Sequence, residues 1–210
     1  MTTFLFFTTL ILTLLRALKA DPTDGFSPVS LSTANFQVQK PYDVPVNQRY
    51  SYVGGVHKLW VYKTDKPFSA GSTTKPRTEV RITGYDYTSG VWQFEGSVYV
   101  PSGTTGVSVM QVFGASTQAT TAMLRVYNPS LTYYRSPVLI PNVYNKWYRV
   151  NVIHDTGAGR VRVYIDGAFK YETNDNGPAT HYFKFGVYTQ DNPSDYMESR
   201  WTGIRVLKKN

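Results

Sequence analysis

From residue 50 onward, the chain is a succession of short segments in which polar and apolar side chains alternate, separated by Gly, Pro, Asn and Asp. Alternation with a period of two is typical of a β-strand that buries one face. No segment in this part of the chain repeats its apolar residues with the period of a helix. The sequence therefore predicts an all-β fold. The candidate strands span residues 58–63, 77–83, 91–100, 106–113, 121–127, 147–154, 160–165, 181–189 and 200–207.

Residues 91–100 illustrate the pattern. Trp92 and Phe94 fall on one face, whereas Gln93 and Glu95 fall on the other, so we expect one face in the core and one polar face. Nine or more strands of this kind predict two antiparallel sheets packed as a jelly-roll β-sandwich. We expect the larger sheet to curve enough to form a concave groove.

Two turn signals in the C-terminal half indicate how the strands are connected. Residues 155–159 join candidate strands 147–154 and 160–165, and the glycines of this loop suit positive φ angles. The dipeptide Asp166-Gly167 follows, and it is typical of tight hairpin turns. We therefore expect these strands to pair with their neighbours in sequence in antiparallel fashion.

The first 20 residues differ in composition from the rest. An apolar run from Phe4 to Leu15 precedes Ala20; it has the length of the hydrophobic region of a secretory signal and is too short to span a bilayer. The alternative, an N-terminal core strand, is disfavoured because the run does not alternate. We expect residues 1–20 to be a cleaved signal peptide and residues 21–210 to form a single domain in the secretory pathway.

The chain is basic. Its formal charge of +8 falls to +6 if the signal segment is removed, since that segment carries Arg16 and Lys19 and no acidic residue. A basic surface suits nucleic acid, membrane headgroups or an acidic small molecule or polymer. Export and the dispersal of Lys and Arg along the chain argue against nucleic acid. The positive charge is compatible with an acidic ligand and with peripheral membrane association, and it does not decide between them.

The composition also limits the chemistry. The chain has no cysteine, which excludes disulfides, thiolate metal sites and a cysteine nucleophile. His57, His154 and His181 are far apart in the sequence and show no metal-ligand spacing, so we expect packed or capped imidazoles. We predict no metal and no cofactor.

Three candidate strands concentrate functional groups on one face. They lie within residues 77–81, 111–113 and 182–190. If their polar faces point the same way, they form one concave surface suited to gripping a carboxylate-bearing ligand. The residues on that surface would be Arg77, Glu79, Arg81, Gln111, Tyr182, Lys184, Tyr188 and Gln190.

Each of these signals also has a simpler interpretation. Arg77, Glu79 and Arg81 could form a solvated ladder of surface ion pairs, each contributing about 0–1 kcal/mol. In the functional interpretation, Glu79 orients both guanidiniums while their remaining donors bind a ligand carboxylate. Gly186 marks either the close approach of a ligand or another backbone, or a bulge or steric gap. Gln111 could be a buried amide bonded to the backbone.

Taken together, the three segments resemble the motifs of the alginate lyases of polysaccharide lyase family 7, which read R-T/S-E-L-R, Q-I/V-H and Y-F-K-A-G-V-Y-N-Q on the strands of a β-jelly-roll groove. Beyond the signal segment, nearly the whole chain is similar to a closer group, the plant citrate-binding proteins, which are vacuole-associated relatives of those lyases. The stretches that carry this similarity are Lys40 to Tyr42, Gln48 to Tyr50, Lys58 to Tyr62, Gly90 to Gly96, Met110 to Ala115 and Tyr196 to Trp201.

The resemblance to the lyases implies roles for individual residues. Arg77 takes the place of the catalytic arginine, Gln111 that of the amide and Tyr188 that of the catalytic tyrosine. Lys184 takes the place of a substrate-contacting lysine. The family's histidine is replaced by Phe113, and a phenyl ring can neither neutralise a carboxylate nor carry a proton. The resemblance therefore implies that the anion-binding part of the site remains while part of the catalytic machinery is missing.

On this basis we expect a vacuolar protein that binds citrate or a similar polycarboxylate without catalysis. Two alternatives stay open. A polysaccharide lyase acting by β-elimination on an acidic uronate polymer would use Tyr188 as both base and acid, with Arg77 and Gln111 supporting the carboxylate. A lectin for wall glycans would use the same groove without chemistry, in the extracellular space or the cell wall.

Overall fold

The computed structural model describes residues 20–210, so residues 1–19, nearly all of the expected signal peptide, lie outside the described part of the chain. Within it, two short 3₁₀ helices occur at Thr33–Asn35 and Val46–Gln48, and no helix has the length and apolar character needed to cross a membrane. Strands make up the rest of the regular structure. They are β1 (Phe26–Pro28), β2 (Phe36–Gln39), β3 (Tyr50–Val53), β4 (Val56–Tyr62), β5 (Arg77–Ile82), β6 (Val91–Tyr99), β7 (Val107–Phe113), β8 (Thr120–Tyr127), β9 (Ser130–Tyr133), β10 (Val138–Ile140), β11 (Trp147–Asp155), β12 (Arg160–Ile165), β13 (Ala168–Asn174), β14 (Tyr182–Thr189) and β15 (Tyr196–Lys209).

The strands form two antiparallel sheets. The first sheet has eight strands, in the order β13-β12-β11-β6-β15-β4-β3, with β1 paired to β15. The second sheet has seven strands, in the order β10-β9-β8-β7-β14-β5-β2. The predicted all-β fold of two antiparallel sheets is confirmed, and every candidate strand forms within a few residues of its expected bounds.

Alternation alone does not predict six of the strands, namely β1, β2, β3, β9, β10 and β13. Five of them are three or four residues long, which is too short for a period of two to stand out. β13 is longer, but it is the edge of the first sheet and most of its side chains are exposed. Such a strand needs no apolar face, so the sequence pattern does not mark it.

An aromatic layer fills the space between the sheets. Phe94 of the first sheet packs against Phe183 and Phe185 of the second, with ring centroids 6.0 and 6.2 Å apart. Trp201 of the first sheet meets Phe94 edge-on at 5.6 Å. All four side chains are buried, and burying a phenylalanine contributes about 1.5–3 kcal/mol. This layer therefore fixes how the two sheets lie against each other.

The opposite face of β6 is polar, as expected, but it is not open to solvent. Gln93 is buried and donates a hydrogen bond to the backbone carbonyl of Pro22 at 2.8 Å. Glu95 is also buried and accepts hydrogen bonds from Asn151 and Arg205. The N-terminal residues of the described chain therefore cover part of the outer face of the first sheet.

The predicted hairpins are present. β11 pairs with β12 and β12 pairs with β13, in both cases antiparallel. At the second turn, Asp166 and Gly167 have φ angles of +50° and +75°. Positive φ at both central residues is what a type I′ hairpin turn requires.

The strands that carry the candidate site residues, β7, β14 and β5, are neighbours in the second sheet. The expectation that the larger sheet carries this surface is therefore wrong, since the outward face of the seven-stranded sheet carries it. The first sheet is the larger one because it gains β1, and the N-terminal residues cover part of its outer face.

Candidate ligand-binding site

The register of three neighbouring strands brings most of the predicted site residues together. On β14, Lys184 lies opposite Arg81 of β5 and Gln111 of β7, and Tyr188 lies opposite Arg77. Residues that are directly opposite each other point to the same face of a sheet. Seven of the eight predicted residues therefore share the outward face of the second sheet. They are Arg77, Glu79, Arg81, Gln111, Tyr182, Lys184 and Tyr188.

Gln190 is the predicted site residue that the structure does not bring into this group. It follows the end of β14, and its amide nitrogen donates to the backbone carbonyls of Tyr188 and Thr189 at 3.2 and 2.9 Å. The amide hydrogens that the sequence interpretation assigned to a ligand are therefore used at the strand end, where fewer ladder hydrogen bonds are available to these carbonyls.

Glu79 is the centre of the group. Its carboxylate accepts a hydrogen bond from Gln111 Nε2 and lies 3.3 Å from Lys184 Nζ and 3.5 Å from Arg77 Nη1. We call these four residues the Glu79 cluster. Glu79, Lys184 and Arg77 are only 0, 2 and 9% exposed, which excludes a solvated surface ladder. With one carboxylate between two cations, the buried cluster carries a formal charge of +1.

Lys184 is an unusual cation because it is buried. Burial lowers its pKa below the ordinary value for lysine, the Glu79 carboxylate acts in the opposite direction, and Arg77 and Arg81 lower the pKa further. Desolvation disfavours the charged form of an amine. A ligand carboxylate placed beside Lys184 would stabilise the protonated amine in the way that Glu79 does.

Arg77 has donors that the described chain does not use. Its guanidinium carbon lies 3.9 Å from the centroid of the Tyr188 ring, a cation–π contact. The buried Nε of Arg77 has no hydrogen-bond partner among residues 20–210. The distance of 3.5 Å between Nη1 and the Glu79 carboxylate is long for a hydrogen bond. The guanidinium is held in place by the ring, while its N–H groups can still bind an anion.

Arg81 is held by a different carboxylate from the one expected. Its Nη2 donates to Asp86 at 2.5 Å, and its guanidinium carbon lies 3.9 Å from the centroid of the Tyr182 ring. Glu79 contacts Arg77 as expected, but the expectation that it also orients Arg81 is wrong, because Asp86, after the end of β5, offers Arg81 a closer partner. The charge of Arg81 is therefore largely neutralised within the protein.

Phe113 occupies the position of the histidine in the lyase motif, and its ring stacks on an aromatic neighbour. The ring centroids of Phe113 and Tyr182 are 4.7 Å apart with 18° between their planes, and Lys184 Nζ lies 5.4 Å from the Phe113 centroid. Burial raises the pKa of Tyr182, although Arg81 partly opposes this. This end of the site therefore offers aromatic faces and a hydroxyl that keeps its proton.

Gly186 allows β14 to lie close to β5. It has a φ of +140°, and a Cβ atom at this position would lie 2.4 Å from the carbonyl oxygen of Thr78 and 2.8 Å from Cα of Glu79. The register of β14 against β7 also shifts between Phe185 and Tyr188. The glycine therefore marks a bulge and the close approach of a neighbouring backbone.

A cleft of about 230 Å³ opens beside the Glu79 cluster. It is lined by Arg77, Lys184, Phe113 and Tyr182 and by Gln39 of β2. The segment between β4 and β5 completes the walls with Phe68, Ser69, Ser72 and Thr74. The sequence interpretation did not include these walls.

Two further residues share this face but were not among the predicted site residues. Gln39 of β2, a strand too short for alternation to mark it, lies opposite Glu79; its Oε1 is buried without a hydrogen-bond partner among the described residues. Arg125 lies opposite Ser108 on a predicted strand and adds a cation to the same face. The loop serines and threonines lack periodicity, so no pattern predicts their place.

The three histidines lie apart from the Glu79 cluster and are packed, as expected. His154 lies between the hydroxyl of Tyr87, 3.0 Å from its Nδ1, and Asp175, 3.2 Å from its Nε2. Burial lowers the pKa of His154, His57 and His181. Within residues 20–210, no group of three or more acidic or histidine side chains is arranged to hold a metal ion.

Comparison with known proteins assigns the chain to a family. A sequence profile described as alginate lyase matches residues 29–208. The chain belongs to the alginate lyase family. A curated relative in this comparison, the citrate-binding protein of Hevea brasiliensis, is 59% identical over 192 residues, which cover 91% of this chain and 81% of the relative. Both resemblances expected from the sequence motifs are confirmed.

Solved structures from the alginate lyase family share the fold. Alginate lyase AlgAT5 of polysaccharide lyase family 7 has a TM-score of 0.67 at 18% identity, covering 89% of this chain and 98% of that one. Alginate lyase PA1167 of Pseudomonas aeruginosa has a TM-score of 0.64 at 16% identity, covering 84% and 99%. The predicted jelly roll is therefore confirmed. At this level of identity, the likeness concerns the fold alone.

Proposed function

We propose that this protein binds citrate or a similar polycarboxylate at the Glu79 cluster without catalysing a reaction. The observation that carries the proposal is a buried excess of positive charge, in which Arg77 and Lys184 share the single carboxylate of Glu79. A buried charge is stable only when it is paired and hydrogen-bonded. A polycarboxylate would supply the missing negative charge, and the 59% identity to the Hevea citrate-binding protein supports the same ligand class.

The two cations suit different parts of such a ligand. The planar guanidinium of Arg77 matches a carboxylate in bidentate geometry, whereas the Lys184 ammonium acts as a compact point charge. We assign one ligand carboxylate to Arg77 and a second to Lys184. The hydroxyl groups of Tyr182 and Tyr188, on the same face, would add neutral hydrogen bonds and fix the orientation of the ligand.

The cleft has the size and lining that a small polar ligand requires. Its volume of about 230 Å³ lies below the range of about 300–1,000 Å³ typical of sites for drug-sized molecules. Hydroxyl groups of Ser69, Ser72 and Thr74 line it together with the cations and suit carboxylate and hydroxyl oxygens. Larger clefts elsewhere in the described chain are lined differently. Those of about 320 and 360 Å³ have no lysine or arginine in their lining, and in those of about 250 and 270 Å³ the cations Arg149, Arg162 and Lys209 are accompanied by two or three aspartates.

Phe113 supports binding rather than catalysis. β-Elimination from a uronate needs a group to neutralise the carboxylate, a base and an acid, and the lyase resemblance assigns part of this work to a histidine. The ring at this position has no titratable proton and is packed against Tyr182. The site therefore has cations that can bind an anion but lacks the imidazole that the lyase motif carries at this position.

Calorimetric titration of the purified protein with citrate tests the proposal. Arg77→Ala should weaken binding by about tenfold or more, because a hydrogen bond to a charged group contributes about 1.5–3 kcal/mol. Binding should also weaken as salt is added. Arg162→Ala is a matched control, since Arg162 pairs with Glu172 on the first sheet and is partly exposed. Undiminished citrate binding by Arg77→Ala would refute the site.

A lyase is the second candidate function. It is favoured by the placement of Arg77, Gln111 and Tyr188 on one face, since the resemblance assigns these three residues to the elimination. Incubation with alginate or polygalacturonate would then generate unsaturated uronate ends, detected by ultraviolet absorbance, and Tyr188→Phe would abolish them. Citrate binding without such product favours the first function.

We also propose that residues 1–20 direct the chain into the secretory pathway and that its destination is the vacuole, with the cell wall as the alternative. The apolar run and the relationship to citrate-binding proteins support this assignment. A fluorescent protein fused to the C-terminus of the full-length chain can be followed in plant cells. Fluorescence that stays at the wall after plasmolysis would favour the alternative.

A further inference from the structure

We propose that the outer face of the first sheet holds a second binding site, which takes an extended acidic glycan. This site lies on the other sheet from the Glu79 cluster and uses none of its residues. It consists of a line of cationic and aromatic side chains that crosses four strands. We call Lys58, Arg200, Tyr99 and Trp147 the outer row.

The strand register places these four side chains in line. Arg200 of β15 pairs with Lys58 of β4 on one side and with Tyr99 of β6 on the other. Tyr99 in turn pairs with Trp147 of β11. Because directly paired residues point to the same face and neighbouring strands are about 4.8 Å apart, the row is about 14 Å long.

The aromatic rings of the outer row are supported by their neighbours. Trp147 and Tyr99 have ring centroids 5.5 Å apart, and the guanidinium carbon of Arg200 lies 5.3 Å from the Tyr99 centroid. Beside the row, Lys58 Nζ lies 5.2 Å from the ring of Trp60. Trp147 remains 45% exposed. A sugar ring can therefore stack on a ring surface whose position is already fixed.

The charge of this surface favours an acidic partner. Lys58 and Arg200 share one carboxylate, that of Glu198, at 3.2 and 2.7 Å. The Glu198 side chain is only 5% exposed, whereas those of Lys58 and Arg200 are 39 and 42% exposed. Two exposed cations over one buried carboxylate leave a net formal charge of +1, with the positive groups outermost. Acidic groups on the ligand complement this arrangement.

The shape of the exposed surface points to a chain-like ligand. The N-terminal residues limit the outer row on one side. Asp21 pairs with Arg149, which lies opposite Ser97, two residues along β6 from Tyr99, and the carbonyl of Pro22 reaches Gln93 further along the same strand. The open platform is therefore a strip, whereas a globular partner would need about 800 Å² of matching surface. A polysaccharide that carries a carboxylate on its rings presents stacking faces and charges along its length, as the outer row does.

Affinity electrophoresis through gels that contain polygalacturonate tests this proposal. The wild-type protein should be retarded, and Trp147→Ala should weaken the retardation by about fivefold. Phe169→Ala is the matched control, because Phe169 is an exposed aromatic residue of β13 on the same sheet. It should migrate like the wild type. Arg77→Ala should also be retarded normally, which separates this site from the Glu79 cluster.

A second pair of variants tests the cationic part. Lys58→Gln leaves Glu198 paired with Arg200 and removes one exposed charge, so it should weaken retention in polygalacturonate. Lys170→Gln removes an exposed lysine from β13 and should have a smaller effect if the position of the charge matters. Equal losses in the two variants would mean unspecific attraction and would overturn the site. A gel with neutral xylan should retard the wild type only weakly.

The remaining outcomes also decide the proposal. Normal retardation of Trp147→Ala, no retardation of the wild type, equal retardation in xylan, or loss of retardation in Arg77→Ala would each overturn it. Size-exclusion chromatography tests whether the outer row instead mediates self-association. If Trp147→Ala converts a dimer into a monomer but leaves retardation unchanged, the outer row joins copies of the chain and the proposal fails. The circular dichroism spectrum and unfolding midpoint of each variant show that it has folded.

Discussion

The guanidinium carbon of Arg77 lies 3.9 Å from the centroid of the Tyr188 ring, and the two residues are directly opposite each other on β5 and β14. The strand register therefore sets this contact. The ring supports one face of the guanidinium, and Glu79 lies 3.5 Å from Nη1. The cation is thus oriented before any ligand arrives, which reduces the entropy lost on binding.

The two arginines of β5 should contribute unequally to citrate binding. Both have a buried Nε without a partner among the described residues, but only Arg81 has a carboxylate of its own, Asp86, at 2.5 Å. Calorimetry should show a loss of about tenfold or more for Arg77→Ala and less than about fivefold for Arg81→Ala. Equal losses would mean that the Asp86 pair does not neutralise Arg81.

Removing the charge of Glu79 should destabilise the fold. Glu79→Gln leaves Lys184 and Arg77 buried without a carboxylate, and breaking a buried pair on one side costs about 3–5 kcal/mol. Urea unfolding at neutral pH measures the loss. Glu172→Gln, which breaks an exposed pair with Arg162, should change stability by less than about 1 kcal/mol. The double variant Glu79→Gln/Lys184→Met should recover part of the loss.

Gly186→Ala should also destabilise the protein. Its Cβ would lie 2.4 Å from the carbonyl oxygen of Thr78, and its φ of +140° is unfavourable for a residue with a side chain. We expect a loss of about 3 kcal/mol or more, measured by urea unfolding. Gly103→Ala is the control, because Gly103 has a φ of +88° with no atom within 4 Å of its Cβ position. It should lose only about 1–2 kcal/mol, from backbone strain.

The sequence predicted the parts of this structure that depend on strand period. Side chains that are two or four residues apart on a strand point to the same face. The grouping of Arg77 with Glu79 and of Lys184 with Tyr188 therefore followed from alternation. The hypothesis that these strands share a surface came from their polar faces, and the resemblance to the alginate lyase family supported it. The histidines were predicted as packed because no spacing linked them.

Contacts made by residues outside the regular strands could not be predicted from alternation. The partner of Arg81 comes from Asp86 beyond the strand end, and the wall near Phe68 comes from an irregular segment between two strands. Neither has a period. Gln190 was assigned to the site because it continues the period of β14, but the strand ends before it and its amide bonds the local backbone.

His57 should make stability depend on pH. It is buried against Tyr52, with ring centroids 4.2 Å apart, and burial lowers its pKa from 6.5 to about 4. Between these values the unfolded chain binds a proton that the folded chain does not, so stability is complete above about pH 6.5 and falls as the pH decreases towards 4. The loss from this residue should be about 2 kcal/mol at pH 5.

Urea unfolding at pH 7, 6 and 5 measures this dependence. His57→Phe should have a shallower dependence than the wild type, although not a flat one, because burial also lowers the pKa of His154 and His181 and these contribute with the same sign. If His57→Phe and the wild type lose stability in parallel, His57 is not the residue that titrates.

Restoring an imidazole at position 113 tests whether its absence separates binding from catalysis. The Phe113 ring lies 5.4 Å from Lys184 Nζ and is stacked on Tyr182, on the same face as Tyr188. In Phe113→His, the neighbouring cation should lower the pKa of the imidazole, which keeps it neutral and able to accept a proton. We expect this variant to release unsaturated ends from alginate or polygalacturonate slowly, whereas the wild type releases none.

Two further variants distinguish a restored reaction from a general loosening of the site. Phe113→Leu changes the shape without adding an imidazole and should stay inactive, and Phe113→His/Tyr188→Phe should lose the new activity because the tyrosine is needed as a second proton carrier. Citrate binding should persist in Phe113→His, since Arg77 and Lys184 are unchanged. A variant that folds and binds citrate but releases no product would show that the loss of the histidine is not what stops the reaction.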